Sequence, residues 1–400
     1  MSETVFGRAA STRADTVAAT RIALEDARAQ CPTDADIALA VVMSSPAYNT
    51  DTIVEVVREE LGDVPLIGST TTGEFTDEGV TDGGVTIALL TSSKLRVVTA
   101  LGNGVSKDLF GTVEQTVEEL PAAEELPGEH AAAITFHNGL SGNGEQIALV
   151  TNQLLGDVAL AGGSAGDDLA MAETMVFTEA GTAADGVAIA LLSGDQPFGL
   201  AATHGHEPIS EPYEVTTATN NVIHELDGQP AYEVWKREVE AIAREEYNIE
   251  VDALTAGDQA IVELLAKFEL GIPLTDGGHK IRWAGISRDT SGPLVATTEV
   301  PEGTEVQIMH SPEQNQIESA GRAATEALAG LDGDPAGALV FDCGCRDIIL
   351  GEQFDQAVEE IATALPVPFA GFETYGEVCM PPGAASGYHN ATTSILLVPE

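Results

Sequence analysis

"LIGSTTTGEF", residues 66–75, places a serine and three threonines between two glycines, directly after an apolar run. Two variants of this stretch follow later in the chain, "LAGGSAGDDL" at residues 160–169 and "FAGFETYGEV" at residues 369–378. In each of the three, one glycine follows the apolar residues and a second glycine precedes an acidic residue. Three stretches that share this frame indicate that one structural unit is repeated along the chain.

Similar predicted elements surround each copy of this frame. A short buried strand comes first, then a helix with apolar residues at helical spacing, then the glycine turn and further strands. These units begin near residues 36, 130 and 337, whereas residues 209–336 follow a different pattern. Because strands both alternate with helices and run consecutively, the sequence predicts an α+β fold. We expect mixed β-sheets flanked by helices, in two lobes built from internally repeated strand-helix-strand-hairpin units.

The composition is strongly acidic, with 64 Asp and Glu residues against 17 Lys and Arg residues and a formal net charge of -47. A field of this sign repels nucleic-acid phosphates and anionic lipid head groups, so neither nucleic acid nor a membrane is an expected partner. The acidic residues are spread along the chain rather than gathered in a tail. This pattern is typical of proteins that work in concentrated salt, where charge repulsion is screened. It predicts a halophilic protein, haloarchaeal in type.

Several features predict a cytoplasmic location. The N-terminal residues lack the basic start and apolar core of a signal peptide. No apolar stretch approaches the roughly 20 residues that span a bilayer. The four cysteines do not form the framework expected of a disulfide-stabilised secreted protein.

The glycine turns suggest a binding site. Backbone N–H groups and hydroxyls at these turns could surround a small polar ligand, or the hydroxyls could merely cap their own turns. The repeat leaves both interpretations open, because duplication alone would copy the turn. The adjacent pair Asp167 and Asp168 would suit a hard cation such as Mg²⁺, but we predict no metal site, because such a pair is weak in so acidic a chain. The candidate ligand-binding residues of the turns are Ser69, Thr70, Thr71, Thr72, Glu74, Ser164, Asp167, Asp168, Thr374, Tyr375 and Glu377.

The stretch "DCGCRD", residues 342–347, carries the most reactive side chains. Cys343, with Arg346 three residues later, could be a low-pKa nucleophile or a reactive sensor thiol. Together with Cys345 and Cys379 it could bind a soft metal. The alternative is that these are small buried side chains at the end of a strand.

Histidines provide further candidates. His204 and His206 lie two residues apart, so a strand would place them on the same side at metal-ligand spacing, although no third ligand is near in sequence. His389 and the adjacent Asn390 are candidate polar contacts for a ligand. The chain contains no HExxH motif and no paired-carboxylate motif, so we predict no catalytic residues.

Six motifs in order, "PLIGSTTTGE", "LAGGSAGDD", "ELDGQPAYEVW", "FDCGCR", "FAGFETYGEV" and "YHNATT", resemble the FIST domain family over residues 35–395. The resemblance implies a FIST N-terminal domain at 35–220 and a FIST C-terminal domain at 221–395. It implies an intracellular sensory or signal-transduction protein that binds a small ligand and signals through a partner such as a kinase or chemoreceptor. No such output region is apparent in the sequence, which suggests a stand-alone sensor.

Three functions follow from this reading. In the leading hypothesis the glycine turns line a cleft for a small polar metabolite such as an amino acid. Arg346 would pair with its carboxylate, and Cys343 and His389 would lie nearby. A thiol-dependent enzyme that uses Cys343 with His389 as base is the first alternative. A haem-binding gas sensor is the second, since some relatives are associated with haem. The cofactor stays unassigned, because no haem attachment motif is present.

Overall fold

The first repeat begins earlier in the chain than the sequence predicts, because two further elements precede the strand predicted near residue 36. In the computed structural model, which describes residues 4–400 except 82, 157, 255–258, 276, 287–291 and 385, this repeat starts with an additional strand and helix. Its elements are β1 (Val5–Ser11), α1 (Thr16–Ala29), β2 (Ile37–Ser44), α2 (Thr50–Leu61), β3 (Leu66–Thr70), β4 (Glu74–Thr76), β5 (Gly79–Thr81) and β6 (Val85–Thr91). Helix α2 starts where the Asn49 side chain accepts a hydrogen bond from the amide of Thr52, and it ends at Gly62.

The second repeat has the same order of elements. They are β7 (Arg96–Asn103), α3 (Leu109–Glu118), β8 (His130–His137), α4 (Gly144–Leu154), β9 (Ala159–Ser164), β10 (Val176–Thr178), β11 (Gly181–Ala183) and β12 (Gly186–Gly194). Strand β7, which the sequence suggests as the last strand of the first unit, pairs with β12 and therefore belongs to the second.

The third repeat is interrupted after its first strand, β13 (Gly199–Thr203). The inserted segment contains β14 (Glu207–Pro208), β15 (Tyr213–Thr219), β16 (Val222–Leu226), β17 (Gln229–Pro230), α5 (Ala231–Tyr247), α6 (Gln259–Lys267), β18 (Leu270–Pro273), β19 (His279–Arg282), β20 (Ala284–Ile286), β21 (Leu294–Ala296) and β22 (Glu305–His310). The repeat then resumes with α7 (Glu313–Ala329), β23 (Pro335–Cys343), α8 (Gly344–Leu350), α9 (Phe354–Ala364), β24 (Phe369–Thr374), β25 (Glu377–Met380), β26 (Tyr388–His389) and β27 (Thr393–Pro399).

The three repeats exchange hairpins in a cycle. The first sheet has the order β1-β6-β2-β3-β10-β11, so its last two strands come from the second repeat. The second sheet, β7-β12-β8-β9-β25-β26, is completed by the third repeat, and the third sheet, β13-β27-β23-β24-β4-β5, by the first. Strands β2 and β3, β8 and β9, and β23 and β24 pair in parallel, and the other pairs in these sheets are antiparallel. The sheets are therefore mixed, as the sequence predicts.

The first glycine of the frame makes room for an exchanged hairpin. A Cβ atom on Gly68 would lie 2.0 Å from the ring of Phe177, and one on Gly371 would lie 2.4 Å from the ring of Phe75. Phe177 belongs to β10 and Phe75 to β4, the hairpin strands that pair across these glycines. Glycine is needed here because an aromatic ring occupies the space of its side chain.

The inner faces of the three sheets form a common core, while helices cover the outer faces. Phe136, Phe341 and Phe372 meet edge to face in this core, with ring centroids 5.4, 5.8 and 5.9 Å apart. The inserted segment builds a nine-stranded sheet and has its own core around Trp235 and Phe268. The chain thus has an α+β fold with a large lobe of three repeats and a smaller lobe inserted into the third. Within the described residues, no helix combines the length and apolar character that a membrane span requires.

Candidate functional site

The glycine turns meet one another where the parallel strand pairs end. In register, Thr70 lies beside Ser44, Ser164 beside His137, and Thr374 beside Cys343. The amide of Gly166 donates to the carbonyl of Thr70 at 2.9 Å, and the amide of Ser164 donates to the carbonyl of Gly376 at 2.8 Å. The amide of Thr72 donates to the carbonyl of Glu373 at 3.0 Å. These backbone N–H groups hold the three turns together, so they are not directed at a ligand.

The acidic residues of the first and third turns make the same internal contacts. Glu74 accepts hydrogen bonds from the Thr71 hydroxyl and from the amide of Gly84. Glu377 accepts one from the Thr374 hydroxyl at 2.6 Å and others from the amide and hydroxyl of Thr392. Both glutamates are fully buried. Burial raises the pKa of Glu377 to about 8, although its hydrogen bonds act in the opposite direction. These carboxyl groups therefore stabilise their own turns.

The second turn differs, because its acid is one methylene shorter. Asp167 accepts hydrogen bonds from the amides of Met171, Ala172 and Glu173 and from the Tyr375 hydroxyl. Burial opposes ionisation, but these hydrogen bonds hold the pKa of Asp167 below its ordinary value.

The backbone after Asp167 is unusual. Asp168, Leu169 and Met171 have left-handed backbone conformations, with φ between 52° and 60°, and the Asp168 carboxylate accepts a hydrogen bond from Ser45. The loop holds Leu169 and Met171, both exposed, at the edge of the cavity described next.

A cavity of about 300 Å³ lies between the two lobes, at the ends of the second and third repeats' strands. The large lobe contributes Asn138, Gly139, Leu140, Ser141, Gly142, Gly144, Ser164, Leu169, Met171, Cys343, Gly344, Cys345, Ile348, Thr374, Tyr375, Tyr388 and Asn390. The smaller lobe contributes Asn221, Trp283, Val295, Ala296 and Thr297. This lining contains apolar and neutral polar side chains and, among the described residues, no Asp, Glu, Lys, Arg or His.

The cavity brings together part of the predicted site. Ser164, Cys343, Thr374, Tyr375 and Asn390 line it. The other predicted residues lie outside this lining, namely Ser69, Thr70, Thr71, Thr72, Glu74, Asp167, Asp168, Arg346, Glu377 and His389. Most of these are engaged in contacts between or within the turns.

Arg346 is fully buried and faces other protein groups rather than the cavity. Its Nε atom donates to Oδ1 of Asp342 at 2.6 Å, and its terminal nitrogens donate to Gln316 and to the hydroxyl of Ser319. His389 is also occupied, since its Nε2 atom lies 3.3 Å from the carbonyl oxygen of Cys379. Burial lowers the pKa of His389 to about 3. The structure therefore does not place these two side chains where a ligand in the cavity would contact them.

Cys343 lies at the cavity wall with its side chain almost fully buried. Burial, together with a hydrogen bond to Cys345, raises the pKa of the Cys343 thiol well above its ordinary value. At neutral pH it is a protonated thiol.

His137, Tyr388 and Trp283 were missed by the sequence reasoning. The Ser164 hydroxyl lies 2.9 Å from Nε2 of His137 and 2.9 Å from the Tyr388 hydroxyl. Burial lowers the pKa of His137 to about 4, so its imidazole is a weak base. Trp283 has a buried indole N–H for which the described part of the chain offers no hydrogen-bond partner. No local sequence pattern marks His137 or Trp283, whereas Tyr388 begins the motif YHNATT but was not singled out as a candidate.

A buried polar chain runs from Arg346 to Glu269 through Gln316 and His206. The Gln316 carbonyl oxygen accepts from Arg346 and from the amide of Gly205, so its NH₂ group faces Nδ1 of His206 at 3.0 Å. The imidazole proton then sits on Nε2, which is 3.7 Å from Oε2 of Glu269. Burial raises the pKa of Glu269 and lowers that of His206. Neither His206 nor His204 belongs to a group of three metal-ligating side chains among the described residues.

Ion pairs connect the lobes beside the cavity. Glu145 at the start of α4 pairs with Lys280 and Arg282 of β19 in the smaller lobe. Nη1 of Arg282 also donates to the carbonyl of Tyr388 at 3.1 Å. Burial and the adjacent Arg282 lower the pKa of Lys280 to about 8. A second link is the Thr297 hydroxyl, which donates to the side-chain oxygen of Asn390 at 2.7 Å.

Comparisons with known proteins place the chain among its relatives. Two uncharacterised proteins of Mycobacterium tuberculosis, MT0656 of strain CDC 1551 / Oshkosh and Rv0628c of strain ATCC 25618 / H37Rv, are each 27% identical over 226 residues. The alignments cover 56% of this chain and 57% of each relative, so the chain spans about half the length of the curated relatives it matches. Among solved structures, cyanuric acid hydrolase from A. caulinodans covers 99% of the chain and is itself covered completely (100%), at 9% identity and a TM-score of 0.33.

Two family models cover most of the chain. The FIST N domain model matches residues 38–229, and the FIST C domain model matches residues 231–380. The chain therefore belongs to the FIST family, whose domains are linked to sensing and signal transduction and to the binding of small ligands.

Proposed function

We propose that the protein is an intracellular sensor that binds a small uncharged molecule in the cavity between its lobes. The observation that carries this proposal is the lining, which combines apolar side chains with neutral polar groups contributed by both lobes. Cavities of this kind, concave and mainly apolar with few polar groups, are the usual binding sites of small molecules. A ligand with an apolar body and one or two hydrogen-bonding groups matches this lining.

The lining is less suited to a free amino acid. Its ammonium and carboxylate groups would lose water in the cavity without a charged partner, since Arg346 is directed at Asp342 and Gln316. Burying an unpaired charge is costly. Amino acids therefore remain a ligand class to test, but we favour neutral compounds such as amides or hydroxylated aromatics.

Trp283 supplies the most specific polar contact in this proposal. Its indole N–H is buried and has no hydrogen-bond partner among the described residues, and an unpaired buried donor costs free energy. A ligand oxygen that accepts this hydrogen bond would remove the cost on binding. The ligand would thereby be oriented with its acceptor towards the smaller lobe.

Binding would be transmitted through the arrangement of the lobes. A ligand that contacts both lobes stabilises the arrangement in which those contacts form. The ion pairs of Glu145 with Lys280 and Arg282 lie across the same junction, so they would respond to a change in lobe position. The output would pass to a protein partner of the kinase or chemoreceptor type. The division into domains at 35–220 and 221–395, the cytoplasmic location and the halophilic character remain predictions.

The test is a thermal-shift screen of the whole chain in molar KCl, because a ligand that binds the native state raises its melting temperature. The compounds are neutral amides and phenols, amino acids, nucleotides, divalent metals and haem. We expect a hit among the neutral compounds, and we expect Trp283→Phe to weaken that hit about tenfold or more in affinity. The control Phe110→Ala removes an exposed side chain that is not part of the cavity lining and should leave the hit unchanged.

Two results would overturn the proposal. One is that no compound class raises the melting temperature. The other is that Trp283→Phe and the wild type respond equally to every hit. A hit confined to amino acids would keep the sensor and replace the neutral ligand class.

The two alternatives have less support. A thiol-dependent enzyme would need an ionised Cys343 and a base, but that thiol has a raised pKa and the His389 imidazole faces the Cys379 carbonyl. For a haem sensor, no histidine lines the cavity among the described residues. An absorbance spectrum after incubation with haem tests that alternative directly.

A further inference from the structure

Two thiols share the large-lobe wall of the cavity. Cys343 ends β23, and Cys345 lies two residues later in the first turn of α8. Both line the cavity, and both are free thiols. The first repeat has Ser45 and Ala47 at the equivalent positions, because Val42 pairs with Gly68 as Val340 pairs with Gly371, so the pair is not a product of duplication.

The residue between them leaves room for movement. Gly344 has no side chain, and a Cβ atom at this position would lie 3.4 Å or more from its nearest neighbours, Thr72 and Thr374. Since the two cysteines are only two residues apart, their Cα atoms lie at most about 7 Å from each other. A local rearrangement can therefore bring the sulfur atoms to the roughly 2.05 Å of a disulfide bond. Cys31 and Cys379, in contrast, are buried and do not line the cavity.

We propose that Cys343 and Cys345 form a reversible disulfide within the chain when a hydroperoxide enters the cavity. The Cys345 thiol attacks the O–O bond, which breaks to give a sulfenic acid on Cys345 and one molecule of alcohol or water. The Cys343 thiol then attacks that sulfur, forming the S–S bond and releasing water. Both sulfurs are oxidised, the peroxide supplies the oxidising equivalents, and a dithiol reductant reverses the step.

The surroundings assign the order of the two steps. Cys345 is partly exposed, whereas Cys343 has 1% of its surface exposed. Burial and the hydrogen bond to Cys345 raise the pKa of Cys343, which keeps it protonated and slow to attack a peroxide. It is better placed to resolve a sulfenic acid that forms beside it. A hydroperoxide is also small and uncharged, as the lining requires.

Oxidation would change a contact between the large lobe and the smaller lobe. Cys345 packs against a cluster that contains Ile281 of β19 and Met309 of β22. Drawing its sulfur towards Cys343 changes that contact, which lies at the junction of the lobes. The inference therefore deepens the proposed sensory function. The transmission of a signal after oxidation rests on the proposed function, whereas the formation of the disulfide requires only the thiol pair.

The experiment uses the folded wild-type chain, reduced and then treated with stoichiometric hydrogen peroxide. We expect the four free thiols to fall to two. The tryptic peptide 323–346, which contains both cysteines, should lose the mass of two hydrogen atoms and regain it with dithiothreitol. In Cys343→Ser, oxidation should stop at a sulfenic acid on Cys345, which a cyclic diketone traps. Cys379→Ser is the matched control and should still form the disulfide.

Three outcomes would overturn this inference. They are four thiols that persist in the folded protein, a bond that involves Cys31 or Cys379, and a bond between two chains. The ligand screen is run separately on reduced protein. A failed disulfide therefore leaves the proposed ligand site in place, and a failed screen leaves the thiol chemistry in place.

Discussion

The first and third repeats end their parallel strands with the same turn but in different surroundings. In both, a threonine hydroxyl donates to a glutamate three residues later. In the first repeat, the Thr70 hydroxyl accepts a hydrogen bond from the amide of Met175, and the second repeat covers the strand end. In the third, Thr374 and Cys343 face the cavity, with the smaller lobe opposite. The local sequence thus determines the turn, whereas the element packed against it determines whether a site forms.

Of the substitutions that distinguish the two repeats, replacing Arg346 should lower the stability of the protein most. Arg346→Ala leaves Asp342 buried without its ion-pair partner, which should lower the free energy of unfolding by about 3–5 kcal/mol. Urea denaturation in high salt measures the change. The exposed Arg237→Ala is the control, with an expected loss below about 1 kcal/mol.

A double variant relates this pair to the first repeat. Asp342→Ser combined with Arg346→Tyr reproduces Ser44 and Tyr48, the residues at the equivalent positions, and should recover part of the stability because no unpaired buried charge remains. A loss below about 1 kcal/mol for Arg346→Ala alone would contradict the assignment of a buried ion pair.

The two turn glutamates should behave alike. Glu74→Ala and Glu377→Ala each leave buried donors without an acceptor, so each should cost about 2–4 kcal/mol of unfolding free energy. Urea denaturation of both variants, beside the exposed Glu359→Ala, makes the comparison. A large loss for one glutamate and none for the other would show that the turns are not structurally equivalent.

The pH dependence of stability should identify Glu377. Its folded pKa is raised to about 8 from an ordinary value of 4.5. Between these values the unfolded chain has lost the proton and the folded chain retains it, so the contribution of Glu377 to stability falls as pH rises. Glu377→Gln removes this term, so the stability of the variant relative to wild type should rise by about 1.4 kcal/mol per pH unit across the window. Urea denaturation at several pH values measures it, and parallel curves for the two proteins would contradict the raised pKa.

The smallest effect is expected at Trp283. Trp283→Phe removes an indole N–H that has no partner within the described residues, so stability should change by less than about 1 kcal/mol. Trp235→Phe is the matched control, because its indole donates to the carbonyl of Phe268 at 2.8 Å and its loss should cost about 1–3 kcal/mol. Equal losses, measured by thermal or urea denaturation, would mean that Trp283 is a core residue rather than part of a binding surface.

The sequence predicts the elements that depend on local patterns. The three glycine frames, the strands before them and the mixed sheets follow from periodicity and turn residues. The exchange of hairpins does not, because β4 pairs with β24 across nearly 300 residues of chain. Local order alone also assigns β7 and β13 to the ends of the first and second repeats. In the structure β7 pairs with β12 and β13 pairs with β27, so each is the first strand of the next repeat.

The site is predictable only in part. Ser164, Cys343 and Thr374 are found because they end strands within or beside the glycine frames. Arg346 stands out for its charge, but its partners Gln316 and Ser319 come from α7, which no local pattern connects to it. Trp283 enters the site only because the smaller lobe packs on the larger one.

The cyclic exchange of hairpins also governs how the chain can fold during its synthesis. The second sheet receives β25 and β26, and the third sheet receives β27 between β13 and β23, only after the third repeat has left the ribosome. Until then both sheets have open edges, which can pair with other chains. A nascent chain that stops before Thr393 would lack the seven residues of β27 and retain one such edge on each side of the gap. Ending the chain before Thr393 should therefore cause aggregation as readily as the loss of a whole repeat.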